Sequence, residues 1–159
     1  MIDATDKKII CLLQQNARLS NAEIADKVGL TASSVHERVK KLEKKGILTG
    51  YVAVVNADML GKPMLAFVRL SVTTQTINAA IQKLCTSEPD ILECHNVAGE
   101  DCYILKIRAE GPKQLERLLM AIKSRSDSIR SVTNIVLSSY KETNYVQPAK
   151  AETVEGSAQ

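Results

Sequence analysis

The stretch SNAEIADKVGLTASSVHERVKKLEKKG, residues 20–46, predicts two short helices joined by a tight turn. Ser20 and Glu23 have the spacing of a capping box, in which a hydroxyl and a carboxylate satisfy free amide groups at a helix start. Gly29 ends the first helix where a left-handed residue is needed, and Thr31 is the expected N-cap of the second. This helix-turn-helix spacing is typical of proteins whose second helix enters the major groove of DNA.

The second helix has an apolar face and a polar face. Val35, Val39 and Leu42 recur at helical spacing and are expected to pack against the first helix. The opposite face and its flanks carry the candidate DNA-contacting residues, which are Ser33, Ser34, His36, Glu37, Arg38, Lys40, Lys41 and Lys44. The serines lie where side chains reach base edges, Arg38 has the chemistry to read guanine or to clamp a phosphate, and the lysines suit phosphates. An ordinary solvated helix in a helical hairpin is the alternative.

The distribution of charge supports a DNA-binding N-terminal part. The chain has 159 residues, of which 45% are hydrophobic and 25% charged, as expected for one globular domain or two small ones. Its net charge is +3, and residues 1–50 hold nine basic and six acidic side chains, so the remainder balances to zero. A basic excess on the helical part is the electrostatic footprint of a protein that binds double-stranded DNA.

Several other classes of protein are disfavoured. No apolar run is long enough to cross a bilayer and no signal-peptide core is evident, which predicts a cytoplasmic protein without a membrane partner. The only two histidines, His36 and His95, fit no nucleophile arrangement, so neither an enzyme nor catalytic residues are predicted. The four cysteines, Cys11, Cys85, Cys94 and Cys102, contain no C-x-x-C motif, so the sequence does not predict a metal site. A metal- or thiol-redox-sensing winged-helix repressor remains the alternative function.

The segments on either side of the central stretch complete one domain and begin another. Residues 3–16 predict a first helix, capped by Asp3 or Thr5, whose inward residues are Ile9, Ile10, Leu12 and Leu13. This helix closes a trihelical unit, so residues 1–50 are interpreted as a helix-turn-helix DNA-binding domain. β-Branched residues between glycines predict that residues 51–63 form a strand that links the two domains.

Residues 64–140 alternate between strand and helix patterns. Strands are predicted at 64–72, 91–98, 102–109 and 131–140, and helices at 76–85 and from Pro112. The order βαββαβ is that of a ferredoxin-like domain, with an antiparallel sheet and both helices on one face. Leu65 and Phe67 make the uncovered face too apolar for solvent, which predicts self-association. Residues 141–159 lose periodicity and predict a tail that is mostly disordered, beyond about residue 147.

Short stretches along most of the chain closely resemble the leucine-responsive/asparagine-operon (Lrp/AsnC) regulators. They are residues 6–10 (DKKII), 17–20 (ARLS), 28–30 (VGL), 37–39 (ERV), 42–43 (LE), 46–51 (GILTGY), 60–61 (LG), 97–99 (VAG) and 133–137 (TNIVL). The resemblance covers about residues 1–142. It implies an α+β protein with a winged helix-turn-helix domain before a ferredoxin-like domain, acting as a sequence-specific transcriptional regulator. It also implies a homodimer that assembles into rings, often octamers.

The same resemblance implies an amino acid or related small molecule as effector, bound between dimers, and no cofactor. Carried onto this chain, the effector site comprises Asn96, Val97, Ala98, Gly99, Glu100, Asp101, Cys102 and Tyr103, with Ile135 and Val136 nearby. The family's turn commonly reads Gly-x-x-Asp-Tyr, whereas this chain has Cys102 at the acidic position. Asp101 from a shifted loop is the candidate acceptor for a ligand ammonium. A different ligand, or a plain hairpin turn without one, is the alternative.

Overall fold

The computed structural model describes residues 2–72 and 78–149. The chain forms two compact units, one of Met1–Val54 with Glu142–Gln159 and one of Val55–Lys141. Three helices are followed by a βαββαβ order, which confirms the predicted α+β fold class. The elements are α1 (Ala4–Gln15), α2 (Asn21–Val28), α3 (Ala32–Lys44), β1 (Met64–Val72), α4 (Asn78–Ser87), β2 (Ile91–Asn96), β3 (Tyr103–Ala109), α5 (Pro112–Lys123) and β4 (Ile129–Ile135).

Side-chain caps define the ends of the N-terminal helices. Asp3, and not Thr5, caps α1: its carboxylate accepts from the amide of Asp6 at 2.7 Å, and the Asp6 carboxylate accepts from the Asp3 amide at 3.2 Å. Ser20 and Glu23 form the predicted capping box at the start of α2. Gly29 ends α2 with a φ of +71°, a left-handed conformation that glycine adopts without steric cost.

The core of the N-terminal unit lies where the three helices meet. Ile9 of α1, Ile24 of α2 and Val35 of α3 are fully buried. The other buried members of this cluster are Ile10, Leu13, Ala25 and Leu42, with Leu12 and Val39 partly buried against them. Each large apolar side chain removed from water contributes about 1.5–3 kcal/mol, so this shared core holds the polar face of α3 in a fixed orientation.

The C-terminal unit is a four-stranded antiparallel sheet of order β2-β3-β1-β4. Inward residues of β1 and β3 join one apolar cluster with α4 and α5, and its helical members are Ile81, Leu84, Leu115, Leu118 and Ile122. The opposite face of the sheet carries Phe67 and Arg69 of β1, both exposed. Residues 76 and 77 of the predicted helix 76–85 lie outside the described residues.

The linker prediction is wrong in one respect. Residues 51–63, all of which are described, contain no strand; residues 51–56 are irregular and residues 57–61 form a turn. Val52, Val54 and Val55 are exposed, and no strand among the described residues pairs with this segment. The end of the linker is anchored by Lys62, whose Nζ lies 2.8 Å from a carboxylate oxygen of Asp90.

The last strand also differs from its predicted limits. β4 begins at Ile129 and ends at Ile135, whereas the sequence pattern predicted residues 131–140. Its neighbour β1 sets these limits, since Val72 pairs with Ile129 and Ala66 with Ile135. The apolar residues that follow, such as Leu137, extend past this ladder and are exposed.

Candidate nucleic-acid interface and effector turn

The start of α3 is organised by a single threonine. The Thr31 hydroxyl accepts from the amide of Ser34 at 3.2 Å and so caps the helix. The Ser33 and Ser34 hydroxyls lie 3.0 and 2.9 Å from the same oxygen. Both serines are exposed, as a residue that reads a base edge must be, but their hydroxyls already take part in the cap.

The polar face of α3 carries most of the predicted DNA-contacting side chains. Those fully on the surface are Ser33, Ser34, His36, Glu37, Lys40, Lys41 and Lys44. The three lysines form no salt bridge with any residue that the structure describes. Since Val35 on the opposite face is fully buried, the helix presents a fixed row of cations to the outside.

Arg38 occupies a different position from the one predicted. Its Nη1 lies 2.6 Å from an oxygen of Asp3 and 2.7 Å from an oxygen of Asp6, and its side chain is only 34% exposed. The hydrogen bonds to the two acids raise the pKa of Arg38. The amide of Asp6, and after it the guanidinium of Arg38, lower the pKa of Asp3. Arg38 therefore ties α3 to the start of α1.

The sequence pattern did not predict the two acids, Asp3 and Asp6, as partners of Arg38. They lie 35 and 32 residues from Arg38 along the chain. Neither the helical repeat nor the strand repeat indicates contacts between residues so far apart. The only signal was their position at the predicted start of the first helix. With Arg38 they line a shallow groove beside α3, whose other lining residues are Glu37, Lys40, Lys41 and Lys44.

The turn between β2 and β3 is the candidate effector site. The amide of Val97 donates to the carbonyl of Cys102 at 3.0 Å, which closes the hairpin, and the amide of Cys102 donates to the carbonyl of Leu70 at 2.7 Å. Gly99 has a φ of +139°, a conformation that side chains with a Cβ rarely adopt. No heavy atom lies within 4 Å of the place a Cβ would take, so only the backbone requires glycine here.

Asp101 already has partners within the chain. One of its oxygens lies 3.4 Å from a guanidinium nitrogen of Arg69, and the other accepts from the Ser71 hydroxyl at 3.4 Å. Its side chain is half-buried. A ligand ammonium bound to Asp101 would share this carboxylate with Arg69. The Arg69 guanidinium could then also bind the carboxylate of the ligand.

Two residues assigned to the effector site point away from it. The Cys102 thiol accepts from the amide of Val72 at 3.4 Å and donates to its carbonyl at 3.6 Å. Tyr103 is only 7% exposed and belongs to the core beneath the helices. The assignment of both as ligand contacts is corrected, because strand alternation turns Tyr103 inward and the end of β1 holds Cys102.

Ile135 and Val136 do not lie near the turn of the same chain. The amide of Val136 donates to the carbonyl of Leu65, near the beginning of β1, whereas Cys102 donates to that of Leu70. Five residues of strand separate the two points, or about 17 Å. Within one chain these residues do not adjoin the turn, so their predicted place in the effector site applies only to a site between copies. A site that uses both would take them from two copies.

The cysteines and histidines form no evident metal or redox centre. Burial, followed by a hydrogen bond with Cys94, raises the pKa of the Cys85 thiol to about 12, so Cys85 is protonated at neutral pH. His95 lies 3.2 Å from the carboxylate of Glu93. Among residues 2–72 and 78–149, no cluster of three or more His, Cys, Asp or Glu residues is arranged to bind a metal.

None of the described helices has the length and apolar character needed to span a bilayer.

Comparisons with known proteins cover both units. A family model for winged helix-turn-helix DNA-binding matches residues 2–49, and one for the Lrp/AsnC ligand binding domain matches residues 65–146. The leucine-responsive regulatory protein of Haemophilus influenzae is 36% identical over 152 residues, which cover 91% of this chain and 89% of that protein.

Solved structures are similar over nearly the whole chain. The feast or famine regulatory protein of M. tuberculosis, complexed with L-methionine, has a TM-score of 0.86 and 27% identity, covering 93% of this chain and 100% of that chain. A transcriptional regulator of Neisseria meningitidis, also in complex with L-methionine, has a TM-score of 0.85 and 26% identity, covering 92% of this chain and 96% of that chain.

Proposed function

Because the chain belongs to the Lrp/AsnC family of DNA-binding transcriptional regulators, we propose that α3 is the helix it inserts into the major groove of double-stranded DNA. The observation that carries this proposal is the fixed row of Lys40, Lys41 and Lys44 on the exposed side of α3. Ser33, Ser34, His36 and Glu37 share that side and are the proposed contacts to base edges, while the lysines bind phosphates. The protein is neither an enzyme nor, on the family evidence, the metal- or thiol-sensing repressor considered as the alternative.

The salt dependence of DNA binding tests this assignment. Lys40→Ala and Lys41→Ala are each expected to weaken binding to all sequences and to lower the slope of log affinity against log salt by about 0.9. Lys113→Ala, on the exposed side of α5, is the matched control and should leave the slope unchanged. Fluorescence anisotropy at several salt concentrations measures both. Equal slopes for all three variants and the unaltered protein would exclude α3 as the DNA-binding helix.

For the effector, we propose a free amino acid bound at the Gly99 turn. Two structurally similar regulators hold L-methionine, and here Arg69 and Asp101 place opposite charges next to this turn. A zwitterion needs such a pair, an acceptor for its ammonium and a donor for its carboxylate. The residues retained as ligand contacts are Asn96, Val97, Ala98, Gly99, Glu100 and Asp101.

Calorimetry with the twenty amino acids tests the effector proposal. Binding of at least one of them to the unaltered protein is expected, and Gly99→Val should abolish it, since valine does not tolerate the φ of this residue. The variant should still bind DNA. Absence of binding by every amino acid would leave the turn a structural hairpin.

We further propose that the protein works as a homodimer that assembles to a higher ring, such as an octamer. Phe67 and Val132 are 37% and 48% exposed on the open face of the sheet, where they would otherwise remain in contact with water. The five residues of β1 that separate the partners of Val136 and Cys102, about 17 Å of strand, also favour a site completed by another copy. Light scattering should give an oligomer that Phe67→Asp dissociates.

We place the DNA-binding activity in the cytoplasm, the compartment that holds DNA in cells without a nucleus.

A further inference from the structure

The described part of the C-terminal tail, residues 142–149, belongs to the N-terminal unit although it follows the sheet of the other unit. Gln14 of α1 holds it through both atoms of its side-chain amide. Its Nε2 donates to the carbonyl of Val146 at 3.0 Å, and its Oε1 accepts from the Val146 amide at 2.8 Å. The side chain thus pairs with one residue of backbone as a neighbouring strand would.

Two more residues of α1 contact the tail in line with Gln14. Lys7 Nζ donates to the carbonyl of Ala149. The Cys11 side chain lies close enough to Tyr145 to raise the pKa of its hydroxyl. Positions 7, 11 and 14 are spaced as neighbours on one face of a helix. The tail therefore lies across a continuous stripe of α1, away from the buried Ile9, Ile10 and Leu13.

Recognition of the tail is mainly through its backbone. The side chain of Val146 is 72% exposed, whereas its amide and carbonyl are both bonded to Gln14. Two further contacts, at Ala149 and Tyr145, use a carbonyl and a hydroxyl. Such a row of polar groups fits an extended peptide, in which successive backbone groups are available for pairing.

We propose that Lys7, Cys11 and Gln14 form a docking surface for an extended peptide, and that its occupant is residues 145–149 of the same chain. Covalent attachment favours this occupant, because an intramolecular segment has a high effective concentration at the site. The chain then passes between the two units twice, near residues 54–55 and near residues 141–142. Docking gives the DNA-binding unit a second tether to the unit that carries the proposed effector site.

Alkylation of Cys11 in the 159-residue chain tests the docking. Val146→Pro removes the amide that Gln14 accepts from, and Gln14→Ala removes both bonds, whereas Val146→Ala keeps the amide and is the matched control. The rate of reaction with N-ethylmaleimide is read at each cysteine by mass spectrometry. Cys85, Cys94 and Cys102 lie in the other unit and report whether that unit remains folded, and circular dichroism of each variant checks that the helices of the N-terminal unit are retained.

Val146→Pro and Gln14→Ala are expected to raise the Cys11 rate about tenfold, the factor that one or two lost hydrogen bonds give in an equilibrium constant. Val146→Ala and the other three cysteines should keep the rates of the unaltered protein. An unchanged Cys11 rate in both disrupting variants would overturn the docking. An equal rise with Val146→Ala would overturn recognition through the backbone.

A mixture of the two disrupting variants identifies the occupant. Val146→Pro chains retain an intact Gln14, and Gln14→Ala chains retain an intact tail. If tails docked between copies, co-assembled mixtures would regain protection of Cys11 on the Val146→Pro chains, which would overturn docking within one chain. The residue at position 14 distinguishes the two Cys11 peptides by mass. Docking within one chain predicts that both remain unprotected.

Discussion

The exposed side of α3 and the turn between β2 and β3 are both charged candidate binding sites, but they differ in how complete one chain makes them. On α3, one helix carries the lysines and a buried core fixes their direction. At the turn, Asp101 is already paired with Arg69, and Ile135 and Val136 lie at the far end of the sheet. Under the proposed assignments, a single chain presents the complete candidate DNA-binding surface, whereas the candidate effector site requires residues of a second copy.

The largest effect should come from removing all three lysines of α3. Lys40→Ala, Lys41→Ala and Lys44→Ala combined are expected to lower the salt slope of DNA binding by about 2.7, because three phosphate contacts are lost. Effector binding, measured by calorimetry on the same variant, should not change. A loss of effector binding as well would show that the two sites are not separable in the way the comparison states.

A smaller effect is expected at the effector turn. Asp101→Ala should reduce amino-acid affinity by about 1.5–3 kcal/mol, the range for a hydrogen bond to a charged group. Arg69→Ala should give a loss of similar size if the guanidinium binds the ligand carboxylate. Calorimetry on both variants measures the two losses. If Asp101→Ala binds as the unaltered protein does, the ligand ammonium lies elsewhere.

A still smaller and less selective effect is expected at Arg38. Since its guanidinium is bonded to Asp3 and Asp6, Arg38→Ala should weaken binding to operator and to shuffled DNA by the same factor. Competition binding with the two DNAs measures the ratio. A selective loss at one operator position would instead restore Arg38 as a base-reading residue.

The smallest effect concerns stability in acid. The pKa of Asp3 is lowered below its ordinary 3.8 in the folded state. The ionised Asp3 therefore stabilises the fold at pH values above 3.8, and this contribution to the free energy of unfolding is lost as the pH falls through the pKa of the folded state. The melting temperature of the N-terminal unit should therefore fall below about pH 4, and less so in Arg38→Ala. Calorimetric melting at pH 2–7 tests this, and parallel curves for the two proteins would contradict it.

What the sequence could predict depends on how far apart the interacting residues lie. The caps of α1 and α2 join residues three apart, and the faces of α3 follow from the helical period, so both were predictable. The inward direction of Tyr103 was available too, from its alternation with Leu105 and Ile107, but the resemblance to a binding turn outweighed it. Local pattern was therefore sufficient to predict the helices and the order of helices and strands along the chain.

Other features depend on contacts that no local pattern encodes. The limits of β4 follow from its register against β1, and the linker is irregular where none of the described strands pairs with it. The bond between Arg38 and Asp3 spans 35 residues, and that between Gln14 and Val146 spans 132. Only the folded structure brings these pairs together.

The pairing of Arg38 also changes the electric field that approaching DNA meets. Asp3 and Asp6 line the same groove as Lys40 and Lys41, and a charge there acts over a screening length of about 8 Å at physiological salt. Left alone, two carboxylates so placed would repel phosphates from the lysines beside them. Arg38 serves as their internal counterion, so it can strengthen the attraction of α3 for DNA without touching the nucleic acid.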